Sequence, residues 1–155
     1  MTVDRVDRAI IAELSTDARL SIRSLADRVH ISRTQTHTRV QRLIADGVLT
    51  SFAAQVDRKA LGLNVTAIVI VKIGSVPWPG MAAALAELPF VERVQAVSGD
   101  IDFVLTVSAP DNEQLSAVIL SQIHDMPGVI STRSHVILDE RVGTAPGSAP
   151  DVWPS

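Results

Sequence analysis

Apolar residues recur every three or four positions in the first third of the chain and fall in short strand-length runs after it. Val6, Ile10 and Leu14 follow Asp4 at intervals of four, which predicts a first helix with Asp4 as its N-cap. Ile22, Leu25, Ala26 and Val29 occupy i, i+3, i+4 and i+7, one face of a second helix capped by Ser21. A third helix is predicted from its cap Ser32 to about Asp46, closed by Gly47, with Thr36, Val40, Leu43 and Ile44 as its core face. Only His30 and Ile31 lie between the second helix and the cap of the third. A turn that short forces a steep crossing, the layout of a helix-turn-helix.

Residues 48–63 read as a strand followed by a turn at Gly62, a linker element rather than a core. Val65–Ile73 is β-branched and almost wholly apolar, a buried strand. Met81, Leu85 and Leu88 mark a helix among alanines, stopped by Pro89. Glu92–Ser98 and Phe103–Val107 read as strands joined across Gly99-Asp100-Ile101-Asp102, a hairpin. Asp111 caps a helix with the stripe Leu115, Val118, Ile119, Ile123 and Met126, which Pro127-Gly128 ends, and Val129–Leu138 is the last strand. The order β-α-β-β-α-β is the ferredoxin-like split unit, an antiparallel sheet with both helices on one face. The other face, expected to be lined by apolar side chains, must pack on something, and a second copy is the simplest partner.

The predicted fold is therefore α+β: an N-terminal winged-type helix-turn-helix and a C-terminal ferredoxin-like βαββαβ domain. The expected boundaries are 1–50 for the helix-turn-helix unit, 51–63 for a linker strand and turn, 64–140 for the ferredoxin-like domain with its uncovered sheet face, and 141–155 for a disordered tail that includes a free Trp153.

Composition narrows the chemistry. With 46% apolar and 20% charged residues in 155, the chain has the material for a packed core, and wholesale disorder is excluded. No apolar run reaches the length of a membrane-spanning helix, and Asp4 and Asp7 interrupt what would be a secretory leader. No cysteine is present, which removes disulfides, thiolate zinc sites and cysteine nucleophiles. A cytoplasmic protein without membrane contact is expected. The four histidines, His30, His37, His124 and His135, lack a paired ligand spacing, so neither a metal nor another cofactor is expected. The sequence has no Gly-x-Ser-x-Gly elbow, phosphate loop or His-Glu-x-x-His, and an enzyme is not expected.

The net charge of −3 is unevenly spread. Residues 1–50 hold 8 Lys/Arg against 6 Asp/Glu, whereas residues 51–155 hold 6 against 11. Arg23, Arg28, Arg33, Arg39 and Arg42 lie in one stretch with Asp27 as its only acid. Such a segment suits either a polyanion or simply a solvated helical face. The outer face of the third helix decides for the former: Thr34, Gln35, Thr38, Gln41, Arg42 and Ala45 offer hydroxyl, amide and guanidinium groups. Those groups hydrogen-bond base edges and phosphates of double-stranded DNA. Ser32, Arg33, Thr34, Gln35 and Thr38 stand at the N-terminal end, where a recognition helix meets bases, with His37 at the margin. Arg39 and Arg42 are expected on phosphate, with an ion pair from Arg39 to an acid such as Asp27 as the alternative. In the hairpin, Ser98, Gly99, Asp100 and Asp102 combine backbone N–H groups with carboxylates, which suits a zwitterion, or else Asp100 merely supports a tight turn. Thr132 and Ser134 share one strand face and could add hydroxyls to the same pocket.

The order of these parts resembles the Lrp/AsnC family of transcriptional regulators over roughly residues 3–140. Asp4-Arg5-Val6-Asp7 with Ile10 and Leu14 is similar to the family's opening helix. Leu25-Ala26-Asp27-Arg28-Val29 with Ile31-Ser32 resembles the helix-turn-helix entry, and Arg39-Val40-Gln41-Arg42-Leu43 with Gly47-Val48-Leu49 its third helix and exit. Val97-Ser98-Gly99-Asp100-Ile101-Asp102-Phe103 resembles the hairpin of its regulatory domain, and Pro127-Gly128-Val129 with Thr132-Arg133-Ser134 its last strand. The chain departs from the pattern at His30, where the family usually carries Gly, and at Thr36, usually apolar. A positive φ at His30 would be tolerated at some cost, and a buried Thr36 needs a hydroxyl partner such as a carbonyl one turn back. The resemblance implies a sequence-specific regulator, a homodimer that builds to an octamer, and an amino-acid effector bound around the hairpin loop between dimers. Two alternatives stand beside it: a small-molecule-binding module with an inactive DNA unit, and a sirohaem decarboxylase, which some two-domain relatives are. The latter needs His and Arg around a tetrapyrrole, and the second domain offers only Arg93, Arg133 and Arg141, which favours the regulator.

Overall fold

Asp4 opens the first helix, α1 (Arg5–Thr16), through a reciprocal cap. Its carboxylate accepts the Asp7 N–H at 2.8 Å, and the Asp7 carboxylate accepts the Asp4 N–H at 3.1 Å. Ser21 caps α2 (Ile22–Val29) on the Ser24 N–H, and Ser32 caps α3 (Arg33–Ala45) on the Gln35 N–H. This computed structural model describes residues 2–141 and 143. The expected tail, Trp153 included, lies outside them apart from residues 141 and 143. Contacts divide the described residues into two units, one of 2–55 with 141 and 143, and one running Val56–Glu140.

In the first unit Ile10, Ile11, Leu14, Leu25, Val40 and Leu43 form the core. His30 ends α2 at φ 56, ψ 42, the left-handed conformation usually given to glycine. Thr36 is fully buried, and its hydroxyl donates to the Ser32 carbonyl at 3.0 Å, so no polar atom is stranded. Ile44, expected in the core, is 40% exposed. It sits about 80° around the helix from Thr36, on the flank of the buried stripe.

The strand expected in residues 48–63 does not form. A strand needs a partner for its ladder, and no described segment pairs with this one. Phe52 and Val56 stay at least half exposed, so extended pairing within the chain would bury no apolar face there. The turn does form, as a 3₁₀ turn over Lys59–Leu61 that Gly62 closes at φ +81.

The second unit is a four-stranded antiparallel sheet in the order β2-β3-β1-β4, with β1 Val65–Ile73, β2 Val91–Ala96, β3 Phe103–Ala109 and β4 Val129–Val136. Ala67, Val69 and Val71 of β1 and Phe103, Leu105 and Val107 of β3 point to one face and are fully buried. Over them pack Met81 and Leu85 of α4 (Trp78–Ala86), together with Leu115, Val118, Ile119 and Ile123. The second helix is not uniform: α5 (Asn112–Ala117) continues as a π-helical stretch, Val118–His124.

The opposite face is mixed rather than apolar. Its centre is Ile68, Ile70 and Val104, half-buried. The register places Lys72, Arg93, Arg133 and His135 around them.

Candidate DNA and effector interfaces

The N-terminal end of α3 is fixed by its own polar residues. The Ser32 hydroxyl accepts the Gln35 N–H at 3.2 Å, and the Gln35 side-chain oxygen accepts the Ser32 N–H at 3.4 Å. Gln35 therefore has an amide NH₂ to offer a base, while its oxygen must leave a long cap bond first. The Thr38 hydroxyl donates to the Thr34 carbonyl at 3.0 Å, which keeps the methyl and an oxygen lone pair as contact chemistry. Ser32, Arg33, Thr34, Gln35, His37 and Thr38 are all exposed.

The arginines divide into two groups. Arg39 Nη1 donates to Asp4 Oδ2 at 2.6 Å and to Asp7 Oδ1 at 2.8 Å, and Arg42 Nη2 donates to Asp7 Oδ2. Arg28 pairs with Glu13 at 2.7 Å. The intramolecular partner of Arg39 is thus not Asp27 but the acids at the start of α1, and both arginines expected on phosphate are engaged within the protein. Among the described residues Arg23 and Arg33 are exposed and form no ion pair. The Asp7 N–H, and after it the Arg39 guanidinium, hold the Asp4 carboxyl below its ordinary range. The same contacts, with Asp4 first and Asp7 second, raise Arg39. Asp7 was not among the expected site residues, yet its side chain is a fully buried charge. Its signal was available: an acid at position i of a helical stripe that continues through Ile10, Ile11 and Leu14.

In the second unit the β2–β3 loop exposes Ser98, Gly99 and Asp100, with Gly99 at φ +121. Asp102 is turned inward. Its N–H donates to the Val71 carbonyl at 3.1 Å, and its Oδ2 accepts the Ile73 N–H at 2.8 Å. It thereby completes the β1–β3 ladder beside a register shift between Lys72 and Ile73. Lys72 Nζ donates to the Asp100 carbonyl at 3.1 Å, which ties the loop to the strand end.

A cleft of ≈ 360 Å³ opens beside this loop, lined by Ile70, Lys72, Asp100, Ile101, Ser131 and Arg133. Thr132 and Ser134 do not reach it. They pair across from Val71 and Val69, and so share the helix-covered face, where Thr132 Oγ1 lies 3.3 Å from His124 Nδ1. The period of two that groups Thr132 with Ser134 also sends Ser131 and Arg133 to the other face, beside Asp100. Among the described residues no three His, Cys, Asp or Glu side chains gather as a metal site.

Comparison with known proteins agrees with this fold. Residues 3–50 match the family model of a winged helix-turn-helix DNA-binding unit, and residues 66–146 that of the Lrp/AsnC ligand binding domain. An HTH-type transcriptional regulator of Pyrococcus abyssi is 30% identical over 142 residues, covering 88% of this chain and 93% of that protein. The HTH-type transcriptional regulator AldR of Mycobacterium tuberculosis is 31% identical over 147 residues, 93% of this chain and 82% of that protein. Among solved structures, the L-Met complex of the Neisseria meningitidis transcriptional regulator NMB0573 superposes with a TM-score of 0.86 at 26% identity, over 92% of this chain and 94% of that one. The feast or famine regulatory protein Rv3291c of M. tuberculosis, complexed with L-methionine, gives 0.84 at 29% identity, over 92% and 96%. The chain belongs to the Lrp/AsnC family and is a DNA-binding transcriptional regulator with a ligand-binding domain.

Proposed function

We propose that the protein reads specific DNA sequences with the first two turns of α3 and that an amino acid, bound beside the β2–β3 loop, shifts its assembly state and hence its DNA affinity. Gln35 and Thr38 read base edges, with Ser32, Thr34 and His37 at the margins of the contact, and Arg33 holds phosphate. The observation that carries the effector reading is the cleft that brings Asp100, Lys72, Arg133 and Ser131 together with the apolar pair Ile70 and Ile101. A zwitterion fits that set: ammonium on Asp100, carboxylate on Arg133 and the Ser131 hydroxyl, with loop N–H groups at Ser98 and Gly99 as further donors. The L-methionine complexes of two structural neighbours support an amino acid as the ligand class.

The cleft opens at the rim of the sheet face whose centre is Ile68, Ile70 and Val104. A second copy covers that face, giving a dimer that assembles to an octamer, and the effector acts by binding one assembly better than another. No helix among the described residues is long and apolar enough to cross a membrane, and the working site we assign is the cytoplasm. A thermal-shift screen of amino acids begun with L-methionine, coupled to sedimentation of the full chain and to binding of the duplex upstream of its own gene, tests the reading. A true effector raises the melting temperature by mass action and changes the sedimentation coefficient. If no amino acid does either at millimolar concentration, the effector assignment fails, and a monomer at micromolar concentration removes the assembly.

A further inference from the structure

We propose that Asp7 is a positioning residue of the DNA contact: its buried carboxylate braces Arg39 and Arg42 against α1, so that phosphate binding by this segment falls to Arg33 and Arg23. The inference rests on α3 being the helix that reads DNA. It concerns which of its cations are free to do so.

Asp7 is fully buried, and a carboxylate in that position is tolerated only with its oxygens satisfied. Both are. Oδ1 accepts from Arg39, while Oδ2 accepts from Arg42 and from the Asp4 N–H. The two arginines lie 32 and 35 residues along the chain from Asp7, so the carboxylate joins α1 directly to α3. Arg39 and Arg42 are three apart and therefore neighbours on the helix surface. Rolling α3 about its axis would pull both off one anchor, which fixes the direction in which Thr34, Gln35 and Thr38 point. Asp4 adds a second oxygen to Arg39 at 2.6 Å.

The charge balance follows. Two arginines and two aspartates make a neutral cluster, and Glu13 neutralises Arg28. Of the five arginines in residues 23–42, Arg23 and Arg33 remain uncompensated among the described residues. The segment then supplies about two phosphate contacts per chain instead of five. Each contact contributes about −0.9 to the slope of log affinity against log salt, roughly a 3.5-fold loss between 50 and 200 mM.

The test uses the full chain on two probes, a random-sequence 30-base-pair duplex and a duplex selected by the wild-type protein from a random pool. With every slope change counted per bound chain, Arg33→Ala should flatten the salt slope on the random duplex by about 0.9. Arg42→Ala should leave that slope in place and lower the preference for the selected duplex, because it loosens the brace and removes no phosphate contact. Asp7→Asn should steepen the slope by about 0.9 as Arg42 comes free while Arg39 keeps Asp4, with a loss of preference of tenfold or more, and adding Arg42→Ala to it should take that ~0.9 back. If Asp7→Asn does not fold, the Arg33→Ala and Arg42→Ala pair, both at exposed positions, carries the test. A slope flattened equally by Arg42→Ala and Arg33→Ala overturns the brace. If Arg33→Ala, Gln35→Ala and Thr38→Ala all leave both probes bound as by wild type, α3 is not the reading helix, and the inference falls with it.

Discussion

The two aspartates of the β2–β3 loop should separate cleanly on mutation, although they are two residues apart. Asp102 accepts the Ile73 N–H at 2.8 Å in a half-buried setting, where the β1–β4 register shifts. Removing the acceptor loses a hydrogen bond to a charged group, worth about 1.5–3 kcal/mol, and leaves an N–H that water reaches only in part. Asp102→Ala should therefore lower the unfolding free energy of the second unit by about 2 kcal/mol, and Asp102→Asn, which keeps an acceptor, should restore about half of it. Asp100 has its side chain in solvent, and its bond to Lys72 runs through the backbone carbonyl, which alanine retains. Asp100→Ala should stay within about 0.5 kcal/mol of wild type. Effector binding should show the reverse. At a hundredfold excess over Kd, an amino acid stabilises the wild type by about 2.7 kcal/mol. Asp100→Ala should lose most of that increment, whereas Asp102→Ala should keep it from a lower baseline. Urea titrations followed by circular dichroism, with and without L-methionine or the best ligand of the screen, measure both quantities. An unchanged m-value would confirm that the native state is compared with the same unfolded ensemble. Should Asp102→Ala unfold at the wild-type midpoint, the ladder role assigned to its carboxylate is wrong. Should Asp100→Ala bind as wild type, the cleft is not the effector site.

Three further outcomes follow from the geometry. A Cβ at Gly128 would stand 2.8 Å from Val76 Cγ1 at φ +98, whereas at Gly62, φ +81, it meets nothing within 4 Å. Gly62→Ala should cost about 1 kcal/mol in denaturant melts and Gly128→Ala about 3, and equal losses would mean that Val76 simply moves aside. His30→Gly removes a left-handed strain of about 1 kcal/mol and adds unfolded-chain entropy, so a gain of up to about 0.5 kcal/mol is expected for the first unit, and a loss would show that the imidazole itself contributes. The Asp7 N–H holds Asp4, and Arg58 holds Glu92, below their ordinary values of 3.8 and 4.5. Their folded pKa values being depressed, both groups stabilise the protein fully above those values and lose that contribution as pH falls through the lowered ones. Asp4→Asn and Glu92→Gln should each flatten the decline in urea midpoint measured from pH 5 to pH 3.

Much of the fold was legible because it depends on local signals. Asp4, Ser21, Ser32 and Asp111 all cap the helices that follow them, as their side-chain chemistry requires. The two residues between α2 and the cap of α3 fixed the helix-turn-helix, and the order of β-branched runs fixed the sheet. The misreadings have a different origin. Residues 48–57 carry a strand-like composition, but a strand is made by its partner, and composition does not name one. Ile44 fits an i, i+4 count from Val40, yet the buried stripe of α3 is narrower than that count allows.

The candidate sites differ from the sequence expectation in two respects: Thr132 and Ser134 stand on the helix-covered side of β4 rather than beside Asp100, and several polar groups already have partners within the chain. Sequence shows the polar groups but not those partners, because each partner lies far along the chain. Arg42 meets an acid 35 residues away, and Asp102 meets an N–H 29 residues away. An exposed arginine on a recognition helix and one held by a buried carboxylate have the same local neighbourhood in sequence. What distinguishes them is whether an acid elsewhere falls on an apolar stripe, as Asp7 does beside Ile10 and Ile11. Such an acid is buried with its helix whatever its own preference for water, and it must then draw a cation from the element packed against it. An acid on the stripe of α1 thus implies an arginine on α3 held as its partner, as Arg42 is.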